Sequence, residues 1–201
     1  YPLTVSGEVN VNNCTFTEGA VVFYSGASGI MANNTIMCDV SVQSLDVKFV
    51  GNILNGTVKT FADGKFTTSY NLISDASEEI TVDETDVKAA SELILGVLDQ
   101  EGAKTSDNGG FTPTIALLSD TLSDGRSIRV PLEETTVTED QRGVTRLEPT
   151  CMGAVEMGCV LKERNLSDTI VAGNSFLSKV YKKAGVYENL MDTIQDVNGC
   201  T

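Results

Sequence analysis

The sequence predicts an all-β fold, a parallel β-helix, and three observations support this prediction. Short β-rich runs separated by Asn and Gly extend from Tyr1 to about Asp75. In three of these runs an Asn occupies the same place between apolar residues, at Asn13, Asn34 and Asn52. The chain also has 18 Gly, 6% aromatic residues and no Trp, a composition typical of many tight turns. A β-helix needs such repetition, because each coil places its corner over the one below.

The repeated Asn residues recur after 21 and then 18 residues. Asn tolerates the left-handed backbone of a tight corner, and stacked Asn side chains can bond to one another in a ladder. A leucine-rich repeat has a similar period but needs Leu at fixed offsets that are missing here. An immunoglobulin-like sandwich, built from short strands with regular turns, stays an alternative. About three coils are expected before Asp75, with further coils or a partner strand covering the end at Tyr1.

Three segments are expected along the chain. Residues 1–75 form the coils, residues 76–159 form a capping region with a short helix and an Asp-Gln-Arg-Gly segment, and residues 160–201 form a partial β-rich surface or anchor repeat. Basic and acidic residues balance in the last segment, so the whole formal charge of −14 lies before it.

The predicted helix lies between Val87 and Leu98. Acidic residues at positions 83, 84 and 86 precede it, as is favourable at a helix start. Apolar residues then follow at helical spacing, and we interpret them as a packing surface over the last coils: Val87, Ala90, Leu93, Ile94 and Val97.

Composition excludes several classes of function. The 28 acidic residues against 14 basic ones would repel nucleic-acid phosphates, so no nucleic-acid partner is expected. The chain has no His, which excludes Ser-His-Asp and Cys-His nucleophiles and the usual zinc hydrolases. No run approaches the roughly 20 apolar residues of a membrane helix. No catalytic residue, cofactor or metal site is assigned.

The five Cys residues show no Cys-x-x-Cys spacing. Cys14 and Cys38 are 24 residues apart, about one coil, so they could lie on neighbouring coils either as a disulfide or as two small buried side chains. Cys151 and Cys159 are the expected disulfide pair in an oxidising compartment, which leaves Cys200 unpaired.

The stretch from Asp107 to Glu156 carries the clearest local signals. Its Gly residues supply turns, and its Asp and Arg side chains can form charge-assisted bonds that fix a loop across the open end of the coils. We assign a structural capping role to eight residues: Asp107, Asn108, Gly109, Gly110, Asp140, Arg142, Gly143 and Arg146.

Four segments occur in the order seen at the end of bacterial surface proteins with a choice-of-anchor Q domain: Phe66–Asp75, Asp107–Leu118, Asp140–Arg146 and Cys151–Glu156. The resemblance covers roughly residues 30 to 157. It implies a right-handed parallel β-helix that is secreted or held at the cell surface. Two places depart from the family pattern, the residues around Gly153 and the segment 122–132.

The last residues, 167–200, are similar to a short β-rich repeat found near the C-termini of bacterial surface proteins. In that repeat a Gly-Val-Tyr segment leads a strand, here Gly185-Val186-Tyr187, and an Asn-Gly-Cys turn follows. The second strand after this turn is missing here, so we expect the chain to be part of a longer protein.

The expected function is non-enzymatic: a segment of a bacterial secreted or cell-surface β-helix that is adhesin-like or contacts glycans. Partners would be cell-surface or environmental glycans, or host surface proteins. The alternative is the C-terminal part of a carbohydrate-active β-helix enzyme, a polysaccharide lyase or glycoside hydrolase, with its active site upstream of Tyr1.

Overall fold

The computed structural model of the protein describes residues 3–44, 46–60, 67–74, 81–99, 105–106 and 108–157. The chain divides into two compact units, Tyr1–Met157 and Gly158–Thr201. The second unit, and with it the predicted repeat of residues 160–201, lies outside the described residues. Within the described ranges, no helix is long and apolar enough to cross a membrane.

The first unit is a parallel β-solenoid in which each coil contributes one strand to each of three sheets. Sheet A contains β1 (Leu3–Val5), β4 (Ala20–Phe23), β7 (Asp39–Val42) and β10 (Val58–Thr60). Sheet B contains β2 (Glu8–Asn12), β5 (Ser28–Ala32), β8 (Asp46–Val50) and β11 (Thr67–Ser69). Sheet C contains β3 (Thr15–Phe16), β6 (Thr35–Ile36), β9 (Ile53–Leu54), β12 (Leu72–Ser74) and β13 (Val87–Ala89).

The predicted parallel β-helix is therefore confirmed, with one more coil than expected. Four complete coils precede Asp75, whereas the sequence predicted about three, and β13 adds a fifth strand to sheet C. The predicted Asn repeat ends at Asn52, so it does not include Asn71, the ladder residue of the additional coil.

The solenoid interior is filled by the inward-facing residues of the three sheets. Side chains alternate along each strand, so every second residue points inward and stacks on its partner in the next coil. Val11, Met31, Phe49 and Thr68 form one such column through sheet B. The rings of Phe23 and Phe49 meet edge to face, with centroids 5.8 Å apart. The interior is thus a stack of apolar layers that fixes the register of the coils.

One corner of every coil passes through the left-handed backbone region. The φ angles are 54° at Asn13, 51° at Asn33, 65° at Gly51 and 53° at Tyr70. Asn and Gly adopt this region at low cost, but Tyr does so rarely. The corner column explains why the sequence places Asn or Gly at three of the four positions.

The residue after each left-handed corner forms a buried side-chain ladder. Asn34 Nδ2 donates to Asn52 Oδ1 at 3.0 Å, and Asn52 Nδ2 donates to Asn71 Oδ1 at 2.9 Å. Asn71 Nδ2 donates to Asp86 Oδ1 at 2.9 Å. Each of these side-chain oxygens also accepts the backbone N–H of the ladder residue in the preceding coil. Asn52 Oδ1, for example, accepts the N–H of Asn34 at 2.9 Å. The ladder ends at Asp86, whose carboxylate has no N–H to donate onward.

The predicted stacking of Asn13 with Asn34 and Asn52 is wrong by one residue. Asn13 belongs to the corner column, and Cys14 occupies the first ladder position, where its N–H donates to Asn34 Oδ1 at 2.9 Å. The partners along the ladder are 20, 18 and 19 residues apart, so coil length varies. With two adjacent columns that both favour Asn, the sequence alone could not separate them.

The predicted helix from Val87 to Leu98 is correct only in part. Residues Val87–Ala89 form β13, and the helix α1 covers Ser91–Leu95. The N–H of Val87 donates to the carbonyl of Asn71 at 2.7 Å, which continues the parallel pairing. Tertiary pairing overrides the helical pattern here because the open edge of β12 offers backbone partners.

Residues 108–157, which we call the flank segment, have little regular structure. They contain the helix α2 (Leu132–Thr135) and an antiparallel pair of β14 (Arg129–Val130) and β15 (Thr150–Cys151). A second apolar core joins them to the outside of the solenoid. Its members include Ala32, Val50, Leu72 and Ala89 from the coils and Ile115, Ile128, Val130 and Met152 from the flank segment.

Candidate functional site: an ion-pair cluster and two open sheet faces

The flank segment runs along the side of the coils. Asn13 in the first coil donates to the carbonyl of Glu139 at 2.5 Å, and Asn33 in the second donates to that of Cys151 at 3.2 Å. In the third coil, the carbonyl of Gly51 accepts the N–H of Gly153 at 2.7 Å. The sequence predicted that this region closes the open end of the stack. These contacts instead place the flank segment, residues 108–157, along the side of the coils, and we call it the brace from here on.

The first predicted capping residues form a tight loop in this brace. Asp107 lies outside the described residues. The side chain of Asn108 is buried and donates to the carbonyl and hydroxyl of Thr114, at 2.9 and 3.1 Å. Gly109 has a φ of 103°, which favours glycine. A Cβ on Gly110 would lie 3.0 Å from the Cα of Arg142, so this loop packs closely against the next predicted motif.

Asp140 and Arg142 form a buried ion pair at 2.7 Å. One oxygen of Asp140 accepts the N–H groups of Arg142 and Val144, at 2.8 and 3.0 Å, which shapes the turn that contains Gly143. The other oxygen accepts the N–H of Glu156 at 2.9 Å. The charge-assisted bonds predicted from this motif are present, and they fold the motif onto the end of the flank segment.

Arg146 is buried and donates five hydrogen bonds. Its acceptors include Asn13 Oδ1 at 2.7 Å, the carbonyl of Gly153 at 2.9 Å and Thr150 Oγ1 at 3.1 Å. Burial lowers the pKa of Arg146, and the nearby carboxylate of Glu156 opposes this effect. Because all five N–H groups find acceptors, Arg146 joins the first coil to the brace.

Sequence reasoning did not assign roles to Glu156 and Arg129, which complete this cluster. Glu156 Oε2 accepts the hydroxyl of Thr150 at 2.5 Å and lies 3.7 Å from Arg146 Nη1. Arg129 lies 3.7 Å from Glu156 and 2.7 Å from Asp120. The sequence does carry a signal for these two residues, because three Arg residues and three carboxylates balance in charge within the segment. The six residues are Arg129, Arg142, Arg146, Asp120, Asp140 and Glu156. We call these six residues the Arg–carboxylate cluster.

The described Cys residues are free thiols. Cys38 and Cys151 are buried, and Cys14 is half-buried. Burial, with a contribution from Glu156, raises the pKa of Cys151 to about 12. Cys159 lies outside the described residues, so its pairing with Cys151 stays a prediction. Cys14 and Cys38 do not form a disulfide, and the alternative of two small buried side chains holds for Cys38, whereas Cys14 is half-buried.

The outer face of sheet A carries a column of mixed side chains. Thr4, Val22, Ser41 and Lys59 are in register across the four strands and are exposed or half-buried. Neighbouring strands lie about 4.8 Å apart, so successive members of the column are separated by about that distance, with Val22 between the polar residues Thr4 and Ser41. Such a surface offers hydroxyl and ammonium groups to an extended ligand.

The outer face of sheet B carries a second column. Asn10, Ile30, Lys48 and Thr67 are in register there, and all four are exposed or half-buried. Tyr24 follows β4 and is 46% exposed. Both columns contain a Lys, although the chain as a whole carries a charge of −14. Among the described residues, these two faces are exposed or half-buried, whereas the brace covers the outside of sheet C.

Within the part of the chain that the structure describes, no three Cys, Asp or Glu side chains lie together as a metal site. The Arg–carboxylate cluster joins the parts of the brace through its ion pairs and hydrogen bonds, but Glu156 Oε1 is buried without a hydrogen-bond partner among the described residues and lies 3.7 Å from Arg129 Nη1. Comparison of the chain with protein-family models, with curated proteins and with solved structures finds no match.

Proposed function

We propose that this chain is a non-enzymatic scaffold of a bacterial secreted or cell-surface β-helix protein, which contacts glycans through its open sheet faces. The observation that carries this proposal is a difference between the three sheets in whether the described residues cover their outer faces. Sheet C is covered by a brace with a buried ionic cluster, while the outer columns of sheets A and B, each with three polar residues and one apolar residue, are exposed or half-buried.

The chemistry of the open columns fits a glycan. Hydroxyl, amide and ammonium groups at Ser41, Asn10 and Lys48 can donate and accept hydrogen bonds with sugar hydroxyls. A rigid backbone holds these groups before the ligand arrives, so little ordering entropy is lost on binding.

A glycan array with the full chain tests the proposal directly. We expect binding to neutral or acidic glycans, and we expect Lys48→Glu and Lys59→Glu to weaken binding to the acidic ones by charge repulsion. Lys88→Glu, outside both columns, is the matched control and should leave binding unchanged. Failure of the wild-type chain to bind any glycan would contradict the proposal.

The alternative expected from the sequence is a carbohydrate-active enzyme whose active site lies upstream of Tyr1. The described chain itself offers one carboxylate pair for such chemistry, which the same preparation tests. Glu8 and Asp46 lie in one column of sheet B, two strands apart, with Ser28 between them. Two strand spacings are roughly 9.6 Å, close to the upper limit for the carboxylate pair of an inverting glycosidase. Release of reducing sugar that disappears in Glu8→Gln and Asp46→Asn would replace the scaffold proposal with the enzymatic one.

A further inference from the structure

Asn-Gly pairs are places where the backbone can attack a side-chain amide, because glycine puts no side chain in the way. The chain has three such pairs, Asn55-Gly56, Asn108-Gly109 and Asn198-Gly199, and the last lies outside the described residues. The two described pairs differ in burial and in hydrogen bonding, so their amides should differ in reactivity.

The amide of Asn108 is held on both sides. Its side chain is buried, and its Nδ2 donates to the carbonyl and the hydroxyl of Thr114, at 2.9 and 3.1 Å. Its Oδ1 accepts the hydroxyl of Ser106 at 3.3 Å. Asn108 cannot turn its Cγ toward the next backbone nitrogen without breaking these bonds, and unsatisfied buried groups are costly.

The amide of Asn55 is held on one side only. Asn55 follows β9, at the corner before β10, and is half-buried. Its Oδ1 accepts the hydroxyl of Ser91 at 3.0 Å. Among the described residues, nothing accepts a hydrogen bond from its Nδ2 or from the N–H of Gly56. The two nitrogens that would exchange places on Cγ are therefore both free to react.

The fold requires the glycine of this pair but not the asparagine. A Cβ on Gly56 would collide with the carbonyl of Cys38 in the preceding coil, so no larger residue fits there. Asn55 is in register with Met37, and the N–H of each donates to a carbonyl of the coil before it at 2.8 Å. A side chain without an amide thus suits this corner equally well.

We propose that Asn55-Gly56 is a deamidation site of the folded protein. The backbone nitrogen of Gly56 attacks Cγ of Asn55 and forms an N–Cγ bond. The Cγ–Nδ2 bond breaks, and Nδ2 leaves as ammonia with the proton of the Gly56 N–H. Water then opens the cyclic imide at either of its carbonyls, which gives aspartate or isoaspartate. The conversion consumes only water.

The hydroxyl of Ser91 assists this reaction. Negative charge develops on Asn55 Oδ1 when the nitrogen attacks Cγ, and a positioned hydrogen-bond donor stabilises such an oxyanion. Ser91 is the first residue of α1, and it donates to this oxygen and not to the nitrogen that leaves.

Isoaspartate would disturb the fourth coil, because it adds a methylene to the main chain between β9 and β10. Gly56 packs against Cys38 and has no room to take up the extra length. The N–H of Val40 donates to the carbonyl of Thr57, just after this corner, at 2.9 Å. The N–H of Val40 should therefore exchange faster with solvent in aged protein.

Peptide mass spectrometry of the full chain during storage at neutral pH tests the proposal. We expect the amide of Asn55 to convert at least about tenfold faster than that of Asn108 in the same sample, since the buried bonds of Asn108 must break first. In the urea-unfolded chain the two pairs should react at similar rates. An amide of Asn55 as stable as that of Asn108 in the folded protein would overturn the proposal.

Variants separate the parts of this site. Asn55→Met carries the residue of the preceding coil, so it should keep the β-rich circular dichroism spectrum and leave the exchange of Val40 unchanged on ageing. Ser91→Ala should slow the conversion by up to about tenfold, the value of one hydrogen bond. Ser91→Thr keeps the hydroxyl and should keep the rate. Equal rates in the two Ser91 variants would rule out assistance by this hydroxyl, and faster exchange of Val40 in aged Asn55→Met would rule out isoaspartate as its cause.

Discussion

Asn52 occupies the centre of the side-chain ladder, and its amide makes four buried bonds. It accepts from the N–H and Nδ2 of Asn34 at 2.9 and 3.0 Å, and it donates to the carbonyl of Met31 at 2.8 Å and to Asn71 at 2.9 Å. The net value of one such bond is small, but an unsatisfied buried partner is costly. The ladder residues are therefore more sensitive to substitution than their small side chains suggest.

Asn52→Ala should lower the free energy of unfolding by about 3 kcal/mol, because it leaves a buried N–H and a buried carbonyl without partners. Asn12→Ala removes the same side chain at an exposed position and should change stability by less than about 0.5 kcal/mol. Urea unfolding of both variants measures the difference. Equal losses at the two sites would show that the ladder does not stabilise the fold.

Arg146→Ala should be strongly destabilising, by about 3–5 kcal/mol, since Glu156 would be left as a buried charge with fewer partners. The control is Arg126→Ala in the same segment. Arg126 also pairs with a carboxylate at 2.7 Å, that of Asp124, but its side chain is 43% exposed, so the loss should stay below about 1 kcal/mol. Thermal unfolding compares the two, and a similar loss in both would contradict the buried role of Arg146.

At the scale of elements, the brace depends on one close approach to the coils. Gly153 has a φ of 90°, and a Cβ there would lie 2.8 Å from Ile53 Cδ1 and 2.9 Å from Thr35 Oγ1. Gly143 has a similar φ of 80° but has open space around it. The two glycines thus share a backbone requirement and differ in packing.

Gly153→Ala should therefore cost more stability than Gly143→Ala. Both variants carry a backbone penalty of roughly 1 kcal/mol, and Gly153→Ala adds a steric clash of about 1–3 kcal/mol. Denaturant unfolding measures both. If the two substitutions cost the same, the flank segment does not pack against the third coil as closely as described.

The brace should also respond to acid through Asp120. The hydrogen bond from Arg129 holds the pKa of Asp120 below its ordinary value, and burial opposes this effect. A depressed pKa in the folded state means that the stabilisation is complete above the unfolded value of about 3.9 and is lost as pH falls through the folded value. The melting temperature of Asp120→Asn should therefore fall less than that of the wild type between about pH 5 and pH 2, the range in which the carboxyl of Asp120 becomes protonated. Parallel melting curves for the two proteins would contradict the linkage.

Sequence patterns predicted the elements to different degrees. Short strands with recurrent Asn identified the coils, because the ladder and the left-handed corner both require that residue type. The sequence predicts Asn13 as the first ladder residue, but Cys14 occupies that position. The ladder and the left-handed corner both favour Asn and fall on adjacent residues. The apolar spacing predicts a helix that includes Val87–Ala89, but these residues form a strand, because their pairing with β12 depends on an open edge that the local sequence does not show.

At the scale of the molecule, the described part of the chain combines a repetitive solenoid with an irregular brace, and the solenoid was easier to predict from the sequence than the brace. The Asp-Gln-Arg-Gly motif predicted charge-assisted bonds, and Asp140, Arg142 and Arg146 do make them. The position of this motif on the flank of the coils could not be predicted, because the bonds that attach it there join distant residues, such as Arg146 and Asn13, which are 133 positions apart. Long-range contacts of this kind leave no local pattern.

Nuclear Overhauser contacts between backbone and side-chain protons of neighbouring coils test the central claim most directly. The parallel register predicts that Val11 contacts Met31, that Met31 contacts Phe49, and that Phe49 contacts Thr68. The side-chain amide protons of Asn34 and Asn52 should exchange slowly with solvent, as expected for buried, bonded groups. Contacts that instead pair consecutive strands, such as β1 with β2 in an antiparallel hairpin, would contradict the stacked solenoid.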